Sequence, residues 1–262
     1  MDLGLKGRVA VVMGASQGLG KASALQLAAE GAEVVLVSRS AENLELVKSE
    51  IEAAGGSAQI QTCDLFDAES RAEFVKFLGT MPQLDVLIAN SGGPAPGMAP
   101  GIASETWTRE FDAMVVGLIE IVDASVAQMK PRGFGRVVVI ASSGVVVPIP
   151  KLAVSNTLRS AVAGYIKTLA EQMAPHGITC NLVLPGRIET PRTQAIDKGT
   201  AANMGISIEQ ARAASAATIP MGRYGKPEEF GAVVTFIASA PAAYITGSQI
   251  RVDGGSIKSI NA

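Results

Sequence analysis

The chain has 262 residues, of which 48% are hydrophobic and only 4% aromatic, with 28 glycines and a formal net charge of −2. That length suffices for one large domain with a well-buried core, and small aliphatic residues mixed with Gly suit parallel strands alternating with helices. No block of Lys or Arg offers a nucleic-acid or membrane surface, so the expected partner is a small-molecule substrate.

Cys63 and Cys180 lie far apart in apolar runs, and the single histidine, His176, sits between Pro175 and Gly177. This pattern argues against a disulfide framework and a His/Cys metal site, and it points to a reducing cytoplasm. The segment from Met1 to Lys6 has neither a basic region nor an apolar one, and Glu120 interrupts the best apolar run. Neither a leader nor a membrane span is expected.

Short apolar runs alternate with longer amphipathic ones along the chain. The pattern predicts strands over residues 8–13, 33–37, 58–62, 86–89, 137–140, 179–183 and 249–252. It predicts helices over 18–30, 41–54, 68–78, 105–129, 154–174 and 227–238. Strands spaced by such helices read as βαβ units around a parallel sheet of about seven strands, with helices on both faces. No linker, repeat or low-complexity tract divides residues 1–262, so a single domain is expected. The irregular segment 188–221 is the candidate for a mobile helical lid over the site.

The first strand runs into Gly14-Ala15-Ser16-Gln17-Gly18-Leu19-Gly20, and a helix follows. Glycines let the backbone turn tightly against a pyrophosphate, and the helix N-terminus adds free N–H groups and partial positive charge. A P-loop does not fit, because Lys21 is followed by Ala22. A purely structural glycine turn is the alternative for this segment taken alone.

In this place G-x3-G-x-G resembles the short-chain dehydrogenase/reductase family, and further matches follow in order. Asp64-Leu65 resembles the family's adenine-contacting pair. Asn90-Ser91-Gly92-Gly93 resembles its N-A-G-G turn, and Pro185-Gly186-Arg187-Ile188-Glu189-Thr190 its P-G-x-I-x-T segment around the nicotinamide amide. Pro220-Met221-Gly222-Arg223 and the run from Ile245 to Gly255 resemble its C-terminal signature. The resemblance is to classical members of the 3-oxoacyl-ACP reductase kind, and it implies a doubly wound Rossmann domain. It also implies assembly as a homodimer or homotetramer through helices 105–129 and 154–174.

The second strand ends Val37-Ser38-Arg39-Ser40, with no acid to accept the 2′-OH of NAD. Arg39 can instead make charge-assisted bonds to a 2′-phosphate, with Ser38 or Ser40 assisting, which favours NADP(H) over NAD. A solvated loop cation is the other reading of Arg39.

The catalytic positions depart from the family's pattern. The resemblance implies a Ser, then a Tyr 13 residues on, then a Lys four further, plus an Asn in the long fourth helix. Here those positions hold Ser142, Ser155, Arg159 and Met114. A Ser hydroxyl has no pKa near neutrality, and a guanidinium does not relay protons. Ser155 and Arg159 nevertheless lie one helical turn apart on one face. Arg159 can bond ribose hydroxyls, or face a substrate carboxylate or a developing oxyanion. Tyr165 reads as a packed or interface residue and Lys151 as a solvated one.

Three readings therefore stand side by side. One is an NADP(H)-dependent oxidoreductase acting on a carbonyl or hydroxyl, in a carboxylate-bearing or β-keto substrate, by an atypical proton path in which Ser142 and Ser155 hold the oxygen, Arg159 stabilises developing charge and water delivers the proton. Another is a non-redox lyase or isomerase in the same pocket. The third is a catalytically silent nucleotide-binding or assembly protein.

Overall fold

A computed structural model describes residues 1–260. The strands are β1 (Val9–Met13), β2 (Glu33–Ser38), β3 (Ser57–Thr62), β4 (Val86–Asn90), β5 (Gly135–Ile140), β6 (Ile178–Pro185) and β7 (Gln249–Val252). All neighbours pair in parallel, in the order β3-β2-β1-β4-β5-β6-β7. Strand order reverses between β1 and β4, which opens a crevice at their carboxyl ends.

The period-two rule decides which face each strand residue serves. Val11, Met13, Leu87, Ala89, Val137 and Val139 point into one core, with Phe74, Leu118 and Leu158. Ala10, Val12, Val86, Ile88, Val138 and Ile140 point into the other, with Leu27, Leu44 and Phe230. The helices that supply these cores are α1 (Gly18–Ala29), α2 (Ala41–Ala53) and α3 (Ala68–Thr80). They are joined by α4 (Ser104–Phe111), α5 (Gly117–Met129), α6 (Ala153–Met173) and α9 (Pro227–Ile237). The chain is thus one doubly wound α/β domain, and strands buried on both faces explain its Val/Ile-rich runs.

One expectation is revised. The helix expected over 105–129 is interrupted by a π-helical turn at Asp112–Val116, which separates α4 from α5. Arg71, nearly buried, packs there and pairs with Asp112 at 2.9 Å and Glu120 at 3.4 Å. A Cβ on Gly117 would stand 2.5 Å from Arg71 Cδ, so the swollen turn and the glycine together make room for the arginine. The segment 188–221, irregular in sequence, forms two helices, α7 (Pro191–Met204) and α8 (Ile208–Ala217). Thr190 and Ser207 cap them, so hydroxyl caps rather than apolar periodicity define these helices.

At the amino ends of the strands a buried carboxylate does the tying. Asp85 accepts from the Val9 amide at 2.9 Å, from Arg8 at 3.1 Å and from Gln83, and Arg132 lies 3.6 Å away. Arg8 and Arg136 both stack on the Phe134 ring, at 3.8 and 4.3 Å from its centroid. Among the described residues no helix is long and apolar enough to cross a membrane.

Two outcomes follow from this packing. Asp85→Ala strands these donors, and we expect it to lower unfolding free energy by about 2–3 kcal/mol. An unchanged urea midpoint would contradict that. Burial, aided by Asp64, pushes the Cys63 thiol up to about 11, and burial pushes Cys180 up to about 12. A raised pKa leaves both sulfurs as neutral thiols at pH 8, so a disulfide-exchange reagent should label neither in the native protein and both after denaturation. Rapid labelling of folded protein would refute the burial.

Candidate functional site

The first turn of α1 is built to receive an anion. Gln17, at its N-cap, makes no side-chain cap bond, and no acidic residue occupies the first turn. The leading N–H groups are therefore left for a ligand. The glycines are required by contact. A Cβ on Gly20 would lie 2.2 Å from the Gly14 carbonyl oxygen, and one on Gly14 would lie 2.5 Å from Asn90 Nδ2. Gly14, at φ +64°, and Gly18, at φ +59°, also adopt the left-handed conformation. Ser16 lies half-buried within this turn and Leu19 within the first turn of α1.

The other residues expected on the cofactor side lie at strand ends and in the loops that follow them. Arg39 is exposed just beyond β2 and makes no ion pair or hydrogen bond among the described residues. Beside it, Ser38 Oγ accepts from the Ser40 amide at 3.3 Å, and Ser40 caps α2 through the Asn43 amide at 3.3 Å. The free cation and the start of α2 together suit a phosphate. Asp64 is partly committed, since it accepts from the Phe66 amide at 3.0 Å, while Leu65 offers its carbonyl to Arg71 at 2.7 Å. Pro185 ends β6, and a Cβ on Gly186 would meet Asp253 Cα at 2.6 Å. Ile188 is buried, and its carbonyl accepts from Thr193 Oγ1 at 2.6 Å. Thr190 lies 3.6 Å from where a Gly18 Cβ would be, and its hydroxyl caps α7 through the Thr193 amide at 3.3 Å.

The expected catalytic positions converge at the carboxyl ends of β4 and β5. Arg159, on α6, donates to the carbonyls of Ile140 at 3.2 Å, Ser91 at 3.1 Å and Gly92 at 3.4 Å. Among the described residues it pairs with no carboxylate; burial, with the Arg192 charge, pulls its guanidinium down to about 10, still well above neutrality. Ser142 accepts from the Gly144 amide at 3.1 Å, which leaves its O–H free to donate. Ser155 is 5% exposed, and its hydroxyl has no partner among the described residues. Met114, in the π-helical turn, is buried in the core.

Other polar residues near the cleft have structural work. Asn156 exchanges two hydrogen bonds with the Ile149 backbone, at 3.3 and 3.0 Å, and so clamps the loop after β5 to α6. Arg187 turns to Asp197, 3.7 Å away. Tyr165 donates to Asp123 on α5, and burial together with that carboxylate holds its phenol well above the usual range. Lys151 is exposed at φ +60°, and its carbonyl accepts from the Gly97 amide at 2.7 Å. The sequence reading missed Arg192. Its guanidinium lies against Gly93, a contact between positions 99 apart that no local spacing signals.

Residues 14–256 match the family described as enoyl-(acyl carrier protein) reductase. The chain is 38% identical over 256 residues to the NADPH-dependent reductase BacG of Bacillus subtilis, covering 97% of this chain and 99% of that protein. It is 31% identical over 254 residues to the 3-oxoacyl-[acyl-carrier-protein] reductase FabG of Thermotoga maritima, covering 97% and 99%. Among solved structures it resembles YwfH, an NADPH-dependent reductase involved in bacilysin biosynthesis, with a TM-score of 0.92, 36% identity and 97% and 100% coverage. It also resembles L-sorbose reductase of Gluconobacter frateurii complexed with NADPH and L-sorbose, with a TM-score of 0.93, 28% identity and 99% and 100% coverage. Glycine turn, strand-end residues and whole-length likeness agree: the chain belongs to the short-chain dehydrogenase/reductase family.

Proposed function

We propose that the protein is an NADP(H)-dependent oxidoreductase that acts on a carbonyl or hydroxyl group, in a carboxylate-bearing or β-keto substrate, without the family's Tyr and Lys. The observation that carries the cofactor choice is Arg39, an unpaired cation beside the Ser40-capped start of α2, where NAD specificity would call for an acid. NADPH in the names of the relatives supports the same choice.

The uncapped start of α1 binds the pyrophosphate, and Asp64 and Leu65 border the adenine. Asn90, Ser91, Gly92, Pro185, Gly186, Ile188 and Thr190 border the nicotinamide end. When bound, the reduced nicotinamide supplies the hydride.

The chain's own residues hold the oxygen that receives negative charge. Ser142 and Ser155 donate to it, and the fixed guanidinium of Arg159 stabilises the charge as it develops. None of the three is an acid near neutral pH, so water delivers the proton. Alkoxides from simple ketones are poorly served by such a site, and turnover on them is slow. Residues 188–221 form the lid over this site, within the single domain 1–262. The flank where Tyr165 of α6 meets Asp123 of α5 is the surface through which we place a homodimer or homotetramer.

A second reading, nucleotide binding without turnover, draws on Met114, whose thioether is packed in the core where a relay amide is expected. Calorimetry with NADPH and NADH followed by a screen of oxo acids separates the two. Turnover with nicotinamide oxidation favours the reductase, tight binding without turnover favours the silent protein, and product without nicotinamide oxidation indicates a lyase or isomerase.

Loss of Arg39 removes charge-assisted bonds worth about 1.5–3 kcal/mol. Arg39→Ala should therefore weaken NADPH binding by about ten- to a hundredfold and leave NADH binding unchanged. Equal weakening of both nucleotides would reject the 2′-phosphate assignment. Ser155→Ala should lower kcat by about tenfold or more while NADPH affinity stays constant; an unchanged kcat would remove Ser155 from the oxyanion set.

A further inference from the structure

Two arginines from distant parts of the chain flank consecutive glycines at the carboxyl end of β4. Arg159 donates to Ser91 and Gly92 from α6. Arg192 comes from the first turn of α7. A Cβ on Gly93 would stand 2.5 Å from both its Nη1 and its Nη2, and 2.7 Å from Cζ. The guanidinium thus lies against the glycine, in space that any other residue would fill. Arg192 is exposed and makes no hydrogen bond or ion pair among the described residues. A helix dipole disfavours a cation in the first turn, and no acid compensates it there. Two like charges and a helix N-terminus therefore meet at Gly92 and Gly93, with neither arginine paired to an acid among the described residues.

We infer that Arg192, backed by Arg159 across Gly92 and Gly93, is the residue that selects substrate by receiving its carboxylate. The inference rests on the reductase reading above and names the anchor for that reading's substrate class. A cofactor phosphate offers the same chemistry, but the pyrophosphate already has the uncapped N–H groups of α1, and Arg192 is directed to Gly93 instead. A carboxylate there would accept up to two N–H bonds from the planar guanidinium, and Arg159 would contribute charge from a position fixed by its carbonyl partners.

The test uses full-length protein with a panel of 2-oxo and 3-oxo acids and their methyl esters. NADPH-coupled turnover is one readout, and calorimetric binding of each compound to the NADP⁺ complex is the other. Wild-type protein should prefer an acid to its ester. Arg192→Ala should raise KM and Kd for that acid by about ten- to a hundredfold, leave the ester unaffected and keep NADPH affinity within about twofold. Gly93→Ala, which displaces the guanidinium and leaves it present, should shift acid binding in the same direction.

Weaker NADPH binding in Arg192→Ala would overturn the inference in favour of a cofactor phosphate. Equal losses for acid and ester, or no acid preference in wild-type protein, would overturn it too, as would failure of every acid to bind. If acids bind through Arg192 but none is reduced, the anion site stands and the reductase reading fails.

Discussion

The carboxyl ends of β4 and β5 are held by one guanidinium. Arg159 reaches three carbonyl oxygens, of Ile140, Ser91 and Gly92, which a planar fork with five N–H groups can satisfy at once. An ammonium at the same position would bring a point charge and a flexible stem. The arginine therefore does more than carry a positive charge: it ties together the backbone that follows β4 and the end of β5. Among the described residues it pairs with no carboxylate.

The rest of the frame serves this end of the sheet. Close approach of Gly14 to Asn90 and of Gly20 to the Gly14 carbonyl brings the start of α1 against the start of the loop after β4. The Asn156 clamp on Ile149 fixes the loop after β5 from the other side. At the far end, Asp85 and the Phe134 stack lock β1, β4 and β5 in register. The sheet is thus pinned at the amino edge by charges satisfied within the protein. At the carboxyl edge, Arg39 and Arg192 make no ion pair or hydrogen bond among the described residues.

Much of this was legible in the sequence because it depends on local rules. Period-two burial and helical spacing located all seven strands, and the glycine run after β1 located the tight turn into α1. What escaped notice depends on contacts across long stretches of chain. The π-helical turn follows from Arg71 packing beside Gly117, 46 positions away. Helix is expected over 188–221, but the bounds of α7 and α8, both only weakly amphipathic, are set by the Thr190 and Ser207 caps. Arg192 looks like any surface cation until Gly93 is brought beneath it. The Ser142, Ser155 and Arg159 set was readable by position, but its hydrogen bonding was not, since the Arg159 acceptors are backbone atoms that every sequence possesses.

The anchoring of α7 limits how that helix can move. Asp197 is 4% exposed, accepts from the Tyr224 hydroxyl at 2.9 Å and lies 3.7 Å from Arg187. Arg212 of α8 pairs with Glu189 and stacks 4.8 Å from the Tyr224 ring centroid. Gradual drift of α7 would strip a buried carboxylate of its donors before water could replace them, so intermediate positions are costly. The two helices and the segment carrying Tyr224 are thus coupled, so that displacing any one of them breaks contacts of the other two.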